Sequence, residues 1–125
     1  MAEVLPIVDA HVHLWNPGQF SMPWLASVPQ LYRPYSLQDY REQTQNLPIM
    51  AMVYIEVGVD PQEALREAHY IADLAREEPR LQAIVAAAPV ERGTLVREHL
   101  ESLIAVSSLI KGVRRNIQDE TEPGF

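Results

Sequence analysis

Four short apolar runs divide the chain: Pro6 to Trp15 (PIVDAHVHLW), Met50 to Val59 (MAMVYIEVGV), Leu81 to Val90 (LQAIVAAAPV) and Leu109 to Ile117 (LIKGVRRNI). Their length and β-branched residues predict four strands, and near-continuous apolar runs of this kind suit a parallel sheet covered on both faces. Between them the apolar period lengthens to that of helices. Ser36 is placed to cap a helix running to about Asn46, with Asp39 as the reciprocal capping residue. A second helix is announced by Asp60 as N-cap, Pro61 at the first helical position and Glu63 two residues on, with Leu65, Ala68, Ile71, Ala72 and Ala75 as its apolar stripe and Glu78-Pro79 as its end. The third is expected after Gly93, capped by Thr94, with Val96, Leu100, Leu103 and Ile104 forming its stripe and Leu95 beside it.

The element order β-α-β-α-β-α-β predicts an α/β protein with right-handed parallel crossovers. Two architectures accommodate it. One is the first half of a TIM-type (β/α)8 barrel, a fold that typically takes about 250 residues. The other is an open doubly wound parallel sheet. Residues 1–125 read as a single partial domain, interrupted by one long connection from about 16 to 35 that holds Pro17, Pro23, Pro29 and Pro34 with Trp24, Tyr32 and Tyr35. That connection follows the first strand, so it lies at the carboxyl end of the sheet, where ligands bind in both folds.

Composition narrows the function classes. Cysteine is absent, which removes disulfides, thiol nucleophiles and thiolate metal sites. The net charge of −7 repels phosphate backbones, so no nucleic-acid partner is expected. No apolar run approaches a membrane span, and Met1-Ala2-Glu3-Val4 lacks the basic start of a secretory leader; a cytoplasmic protein with no membrane partner is the expectation.

The chemistry concentrates in the first strand. Alternation puts Asp9, His11 and His13 on one face, and Val8, Ala10, Val12 and Leu14 on the other, toward an apolar layer. Two imidazoles two residues apart at a strand end can reach one cation, and neutral imidazole suits zinc and its neighbours. Asp9 could orient the pair through a hydrogen bond. A His-x-His pair also occurs on exposed strands, so spacing alone leaves both readings open. Glu56 lies in an otherwise apolar run with Tyr54, and a carboxylate there needs a partner; Arg114 or Arg115 across the sheet could supply it. An arginine at a strand end can also hold a carboxylate bidentately. His69 and His99 read as solvated helix residues, and Asp119, Glu120 and Glu122 as a solvated acidic loop.

Asp-Ala-His-Val-His-Leu-Trp (9–15), Pro23-Trp24-Leu25, and Gly112-Val113-Arg114-Arg115 followed by Gln118-Asp119-Glu120 together resemble the amidohydrolase superfamily, and within it the amidohydrolase 2 branch of TIM-barrel hydrolases that includes lactonases of the fuconolactonase kind. The resemblance runs along all 125 residues. It implies a metal-dependent hydrolase in which activated water attacks a lactone or similar cyclic ester of a sugar or carboxylic acid. His11 and His13 would be metal ligands, with a divalent metal, zinc by preference, as cofactor. Trp24 would line the substrate pocket. Glu56 would face the site as a candidate catalytic group, and Arg114 and Arg115 would bind substrate, Arg114 also taking a catalytic role. Histidine is commoner in that branch at the position of Arg115.

A catalytic zinc site usually takes three protein ligands and a water. The resemblance places further histidines and an aspartate on later strands that the sequence, ending at Phe125, does not contain. The expectation is therefore either a truncated, non-catalytic fragment or a half-barrel that works with a partner: a second copy of itself or a complementing half. A third and weaker reading, an anion-binding doubly wound sheet, lacks a glycine-rich phosphate loop after its first strand.

Overall fold

The computed structural model describes residues 3–125; Met1 and Ala2, part of the stretch read above for a leader, lie outside the described residues. Four strands, β1 (Ile7–Val12), β2 (Ile49–Ile55), β3 (Leu81–Ala87) and β4 (Ile110–Arg114), alternate with three helices, α1 (Leu37–Gln43), α2 (Ala64–Glu77) and α3 (Arg97–Val106). No helix among the described residues is long and apolar enough to cross a membrane.

The strands are parallel and lie in the order β1-β2-β3-β4. A doubly wound sheet must reverse its winding at a switch point. Here each crossover steps one strand further in the same direction and the described strands contain no switch point, a winding consistent with part of a (β/α) barrel. Crossovers of one hand and one direction deliver their helices to one face. The expectation of a sheet covered on both faces is corrected accordingly. Leu81, Ile84, Ala86 and Ala88 are buried while Gln82 between them is exposed, and on the other strands Met50, Lys111 and Val113 stay exposed.

Strand β2 stops at Ile55, although the apolar run continues to Val59. Val57 and Val59 are apolar because they are buried in the core beyond the strand, not because they extend it. At β1, Val12 and Leu14 enter the core as expected, but Val8 and Ala10 are exposed. Strand β1 is an outer strand, and it holds one residue more than β2 between Asp9, paired with Met52, and Val12, paired with Tyr54. That bulge breaks the two-residue alternation on which the face assignment rested.

The capping signals hold where side chains do the capping. Ser36 and Asp39 form the reciprocal box, the Ser36 Oγ accepting from the Asp39 amide and Asp39 accepting from the Ser36 amide. Asp60 accepts from the Gln62 amide at the head of a single 3-10 turn, Pro61–Glu63, and α2 follows. Thr94 does not cap α3: the segment Val90–Val96 winds as 3-10 turns broken at Gly93, which has φ of 61°, and no side chain caps the helix at Arg97. Leu103 is buried on α3, but Ile104 and Leu95 are exposed, so the stripe runs through Val96, Leu100, Leu103 and Val106 instead.

The long connection is ordered by polar tethers. Its ends are joined by a two-way backbone bridge between Trp15 and Tyr35. Ser21 donates its amide to Glu63 at 2.7 Å and accepts from the Asp60 amide at 2.8 Å. Arg66 stacks on the Phe20 ring and pairs with Glu63. Two 3-10 turns, Pro23–Ser27 and Pro29–Leu31, take up its middle and bury Leu25 completely. At the opposite end of the sheet, Glu78 is 4% exposed and is gripped by Arg41 and Arg80, which ties α1 to the turn between α2 and β3.

Candidate functional site

His13, Trp24 and Arg114 each bond to the short segment that leaves β2, which carries Glu56, and His11 stands beside His13. His13 is half-buried, and its Nδ1 donates to the Ile55 carbonyl at 2.9 Å. A carbonyl only accepts, so that bond fixes the proton on Nδ1 of the neutral ring and leaves the lone pair on Nε2. The Nε2 atoms of His11 and His13 lie 3.0 Å apart, with the rings nearly perpendicular at 79°. Burial, aided by the His11 ring and the Arg114 charge, lowers the His13 pKa; the Ile55 bond and Glu56 oppose the shift. The shift favours the neutral ring, the form in which an imidazole can ligate a metal.

The donor set fits a divalent cation. Two imidazole nitrogens bound to one tetrahedral zinc at about 2.0–2.1 Å stand about 3.3 Å apart, close to the spacing here. The Ile55 carbonyl is the kind of outer partner that orients a ligating histidine. Among the described residues, no three His, Cys, Asp or Glu side chains converge on one metal position. Asp9 does not orient the imidazoles. Its Oδ2 accepts from the Tyr40 hydroxyl at 2.9 Å, which, after burial, raises the tyrosine to about 12, and its Oδ1 faces the His11 backbone amide at 3.4 Å. The bulge after Asp9 accounts for this turn toward α1.

Glu56 is 3% exposed and has both oxygens occupied. Oε1 accepts from Arg114 Nε at 2.6 Å, and Oε2 from the Gly58 amide at 2.7 Å. Arg114 Nη2 also donates to the Glu56 carbonyl at 2.8 Å. The cross-sheet ion pair is therefore formed, and by Arg114. Arg115 points elsewhere, as neighbouring strand residues do: it pairs with Glu91 at 3.0 Å and Glu120 at 2.6 Å, and lies over the Phe125 ring. Glu120 is thus an ion-pair partner and not simply solvated.

Trp24 sits in the first 3-10 turn of the long connection, and its Nε1 donates to the Val57 carbonyl at 2.8 Å. Its ring meets Trp15 edge-on and packs on Gly58, where a Cβ would lie 3.3 Å from two indole atoms. Gly58 has φ of 69°, a conformation other residues adopt at a cost. A depression of about 460 Å3 lined by Phe20, Met22, Pro23 and Tyr32 lies within the long connection itself, away from the histidines.

Two further residues were not anticipated. Glu67 on α2 is 3% exposed, and its Oε2 accepts from the Tyr54 hydroxyl at 2.7 Å and the Val57 amide at 3.1 Å. Burial pushes its carboxyl up to about 7 in spite of those two bonds, while the same burial holds the Tyr54 hydroxyl far above its ordinary range. Glu67 falls on the face of α2 defined by Ala64, Ala68 and Ile71, all buried, and that spacing was the available signal. His99, expected in solvent, is half-buried and bonded through Nε2 to the Ala87 carbonyl at the end of β3, at 2.9 Å. His69 is exposed.

No protein-family model matches the chain. It is 22% identical over 130 aligned positions to y4mH, an uncharacterized protein of Sinorhizobium fredii, covering 94% of this chain and 42% of that one. Among solved structures it resembles amidohydrolase 2 from Bifidobacterium longum subsp. infantis, with a TM-score of 0.59 and 26% identity over 69% of this chain and 34% of that one. It also resembles an amidohydrolase from Burkholderia multivorans solved with bound zinc, with a TM-score of 0.65 and 22% identity over 90% of this chain and 38% of that one. The structural neighbours that cover most of this chain are thus amidohydrolases, and the parallel sheet with its alternating helices is the fold of a segment of them. The chain spans less than half the length of each relative it matches.

Proposed function

We propose that this chain supplies part of the active site of a metal-dependent hydrolase of the amidohydrolase type, acting on a lactone or similar cyclic ester of a sugar or carboxylic acid. The observation that carries this reading is the His11–His13 pair, with its Nε2 atoms 3.0 Å apart and the His13 proton committed to the Ile55 carbonyl. His11 and His13 would hold the cation, zinc by the chemistry of the donors. Such a cation supplies Lewis acidity toward a substrate carbonyl and a water acidified to near neutral pH. Arg114 spends Nε and Nη2 on Glu56; its Nη1 makes no hydrogen bond among the described residues and is aimed by that double grip. In this reading Nη1 binds a substrate carboxylate or the oxygen on which charge develops. Glu56, with both oxygens bonded, acts by holding Arg114 and not by taking a proton from water. Trp24 forms an apolar wall, and Arg115 contributes at the rim, where Glu91 and Glu120 compete for it.

In this reading the remaining ligands and the base come from the rest of such a site, carried by a longer form of this chain, by a complementing half-barrel or by a second copy seated against the outer strands β1 and β4. Metal analysis of the chelator-washed, zinc-reloaded chain tests it, alone and after hydrolysis assays with simple lactones. Stoichiometric zinc and lactone turnover support the reading; zinc bound without dependence on His11 and His13 overturns it.

A second reading is favoured by one observation, the lack of a third metal-ligating side chain near the pair among the described residues. In it the chain is a non-catalytic half-barrel module. Light scattering combined with the lactone assay separates the two: a well-folded monomer without turnover supports the module.

A further inference from the structure

Candidate residues from three different parts of the chain all hang on three consecutive residues, 55–57. His13 bonds to the Ile55 carbonyl, Arg114 to the Glu56 carboxylate and carbonyl, and Trp24 to the Val57 carbonyl. The segment leaves the sheet at Ile55, so strand pairing does not fix it beyond the bond from the Glu56 amide to the Val85 carbonyl. Beyond the bonds to Glu56 itself, one buried side chain from α2 braces it. Glu67 Oε2 takes a bond from the Tyr54 hydroxyl on one side of the segment and from the Val57 amide on the other. The Tyr54 hydroxyl also faces the Leu14 carbonyl, at 3.2 Å, so the same link reaches the end of the first strand.

We infer that Glu67 is the positioning residue of this site: by pinning Tyr54 and Val57 it sets the Ile55, Glu56 and Val57 groups that orient His13, Arg114 and Trp24. The inference rests on the reading of that neighbourhood as the active site, but the placement of the three side chains can be tested without it. A structural alternative exists, because α2 packs on the sheet through β3 in any case and Glu67 could simply fill the space beside Tyr54. The two differ in what a leucine does. Leucine fills the volume without a carboxylate, so packing survives, and thermal stability need not fall, while the Val57 amide and Tyr54 hydroxyl lose their shared anchor. Glutamine keeps an acceptor oxygen for the Val57 amide.

The experiment compares wild type, Glu67→Leu and Glu67→Gln by the indole N–H resonance of Trp24, the imidazole nitrogen shifts of His13, and the dissociation constant for zinc alone. The expected result is that Glu67→Leu moves the Trp24 indole proton upfield as its bond to Val57 lengthens, lets His13 exchange between tautomers, and weakens zinc by about tenfold, the lower end of what outer partners contribute. Glu67→Gln restores all three to near wild type. Unchanged resonances in Glu67→Leu overturn the inference, even if stability changes. If wild type binds no zinc, the metal reading fails, and the Trp24 and His13 resonances still decide the positioning role. Should Glu67→Leu fail to fold, Tyr54→Phe removes one of the two anchors at constant shape; shifted Trp24 and His13 resonances then support the inference and unshifted ones sink it.

Discussion

Arg114 grips Glu56 twice, through the carboxylate at 2.6 Å and through the backbone carbonyl at 2.8 Å, so one side chain reads both the charge and the chain direction of its partner. The carboxylate is almost wholly buried and the guanidinium about a third exposed. The arginine therefore stays reachable from solvent while its aim is set from inside. We predict that Arg114→Ala destabilises the chain by about 2–3 kcal/mol, because it leaves a buried carboxylate without its counter-charge. Adding Glu56→Gln should recover part of that loss. Denaturant midpoints of the single and double variants check it; a double variant weaker than Arg114→Ala alone would contradict the explanation.

Replacing His11 and His13 together by alanine should abolish zinc uptake by the reloaded chain, and His13→Ala alone should weaken it more than tenfold. His11 is exposed and His13 half-buried, so neither change should lower the unfolding free energy by more than about 1 kcal/mol. Metal content after gel filtration, with thermal melts alongside, is the measurement. Equal zinc in wild type and the double variant would remove the pair from the site.

Glu67 makes stability depend on pH in an unusual direction. Its carboxyl titrates near 7 in the folded chain and near 4.5 when unfolded. Below about 4.5 both states are protonated and there is no penalty. Between there and about 7 only the unfolded state releases the proton, so stability falls as pH rises, by about 3 kcal/mol in all, and levels off above. Glu67→Gln should remove this slope. Urea titrations at pH 5 and pH 8 read it directly, and parallel slopes in the variant and wild type would refute it.

Glu78 works in the opposite sense. The Arg80 hydrogen bond, with that of Arg41, outweighs its burial and lowers its carboxyl to about 2. Its contribution is present above about 4.5 and is lost as pH falls toward 2, of the order of 2–3 kcal/mol. Glu78→Gln should therefore be destabilised at neutral pH and converge on wild type in acid. Acid-unfolding curves followed by circular dichroism test this.

Gly58→Ala should cost about 1–3 kcal/mol, since alanine resists the positive φ and its methyl meets the Trp24 ring. The same change should alter Trp24 fluorescence. A neutral effect on both would show that the turn relaxes freely.

Much of this architecture is visible in the sequence because it depends on local signals. Apolar runs marked all four strands, and Ser36–Asp39 and Asp60–Pro61 marked two helix starts to within a turn. Of the residues singled out for chemistry, His11, His13, Glu56 and Arg114 are brought together because each lies at or just beyond the carboxyl end of a strand; Trp24 reaches them from the long connection, and Arg115 turns away to Glu91 and Glu120. What escaped depends on tertiary placement. The extra residue in β1 turned Asp9 toward Tyr40, and no spacing rule reports a bulge. Glu67 looks like a solvent residue by type, and only its position among Ala64, Ala68 and Ile71 places it inward. Thr94 had the right chemistry for a cap, but Gly93 broke the turn before it could act.

Nearest-neighbour strand order bears on how the chain reaches this state. Each strand pairs with the next one in sequence, yet the spans differ: Ile7 to Ile49 for the first pair, Met52 to Leu81 for the second and Ile84 to Ile110 for the third. Closing the first span encloses the whole proline-rich connection and carries the larger entropy cost. Strands two to four are then expected to assemble as an early unit, onto which the histidine strand is zipped last. Pulse-labelled hydrogen exchange would show amide protection at Ile84 before His13. On that timetable the first of these four strands to be made is the last of them to find its place.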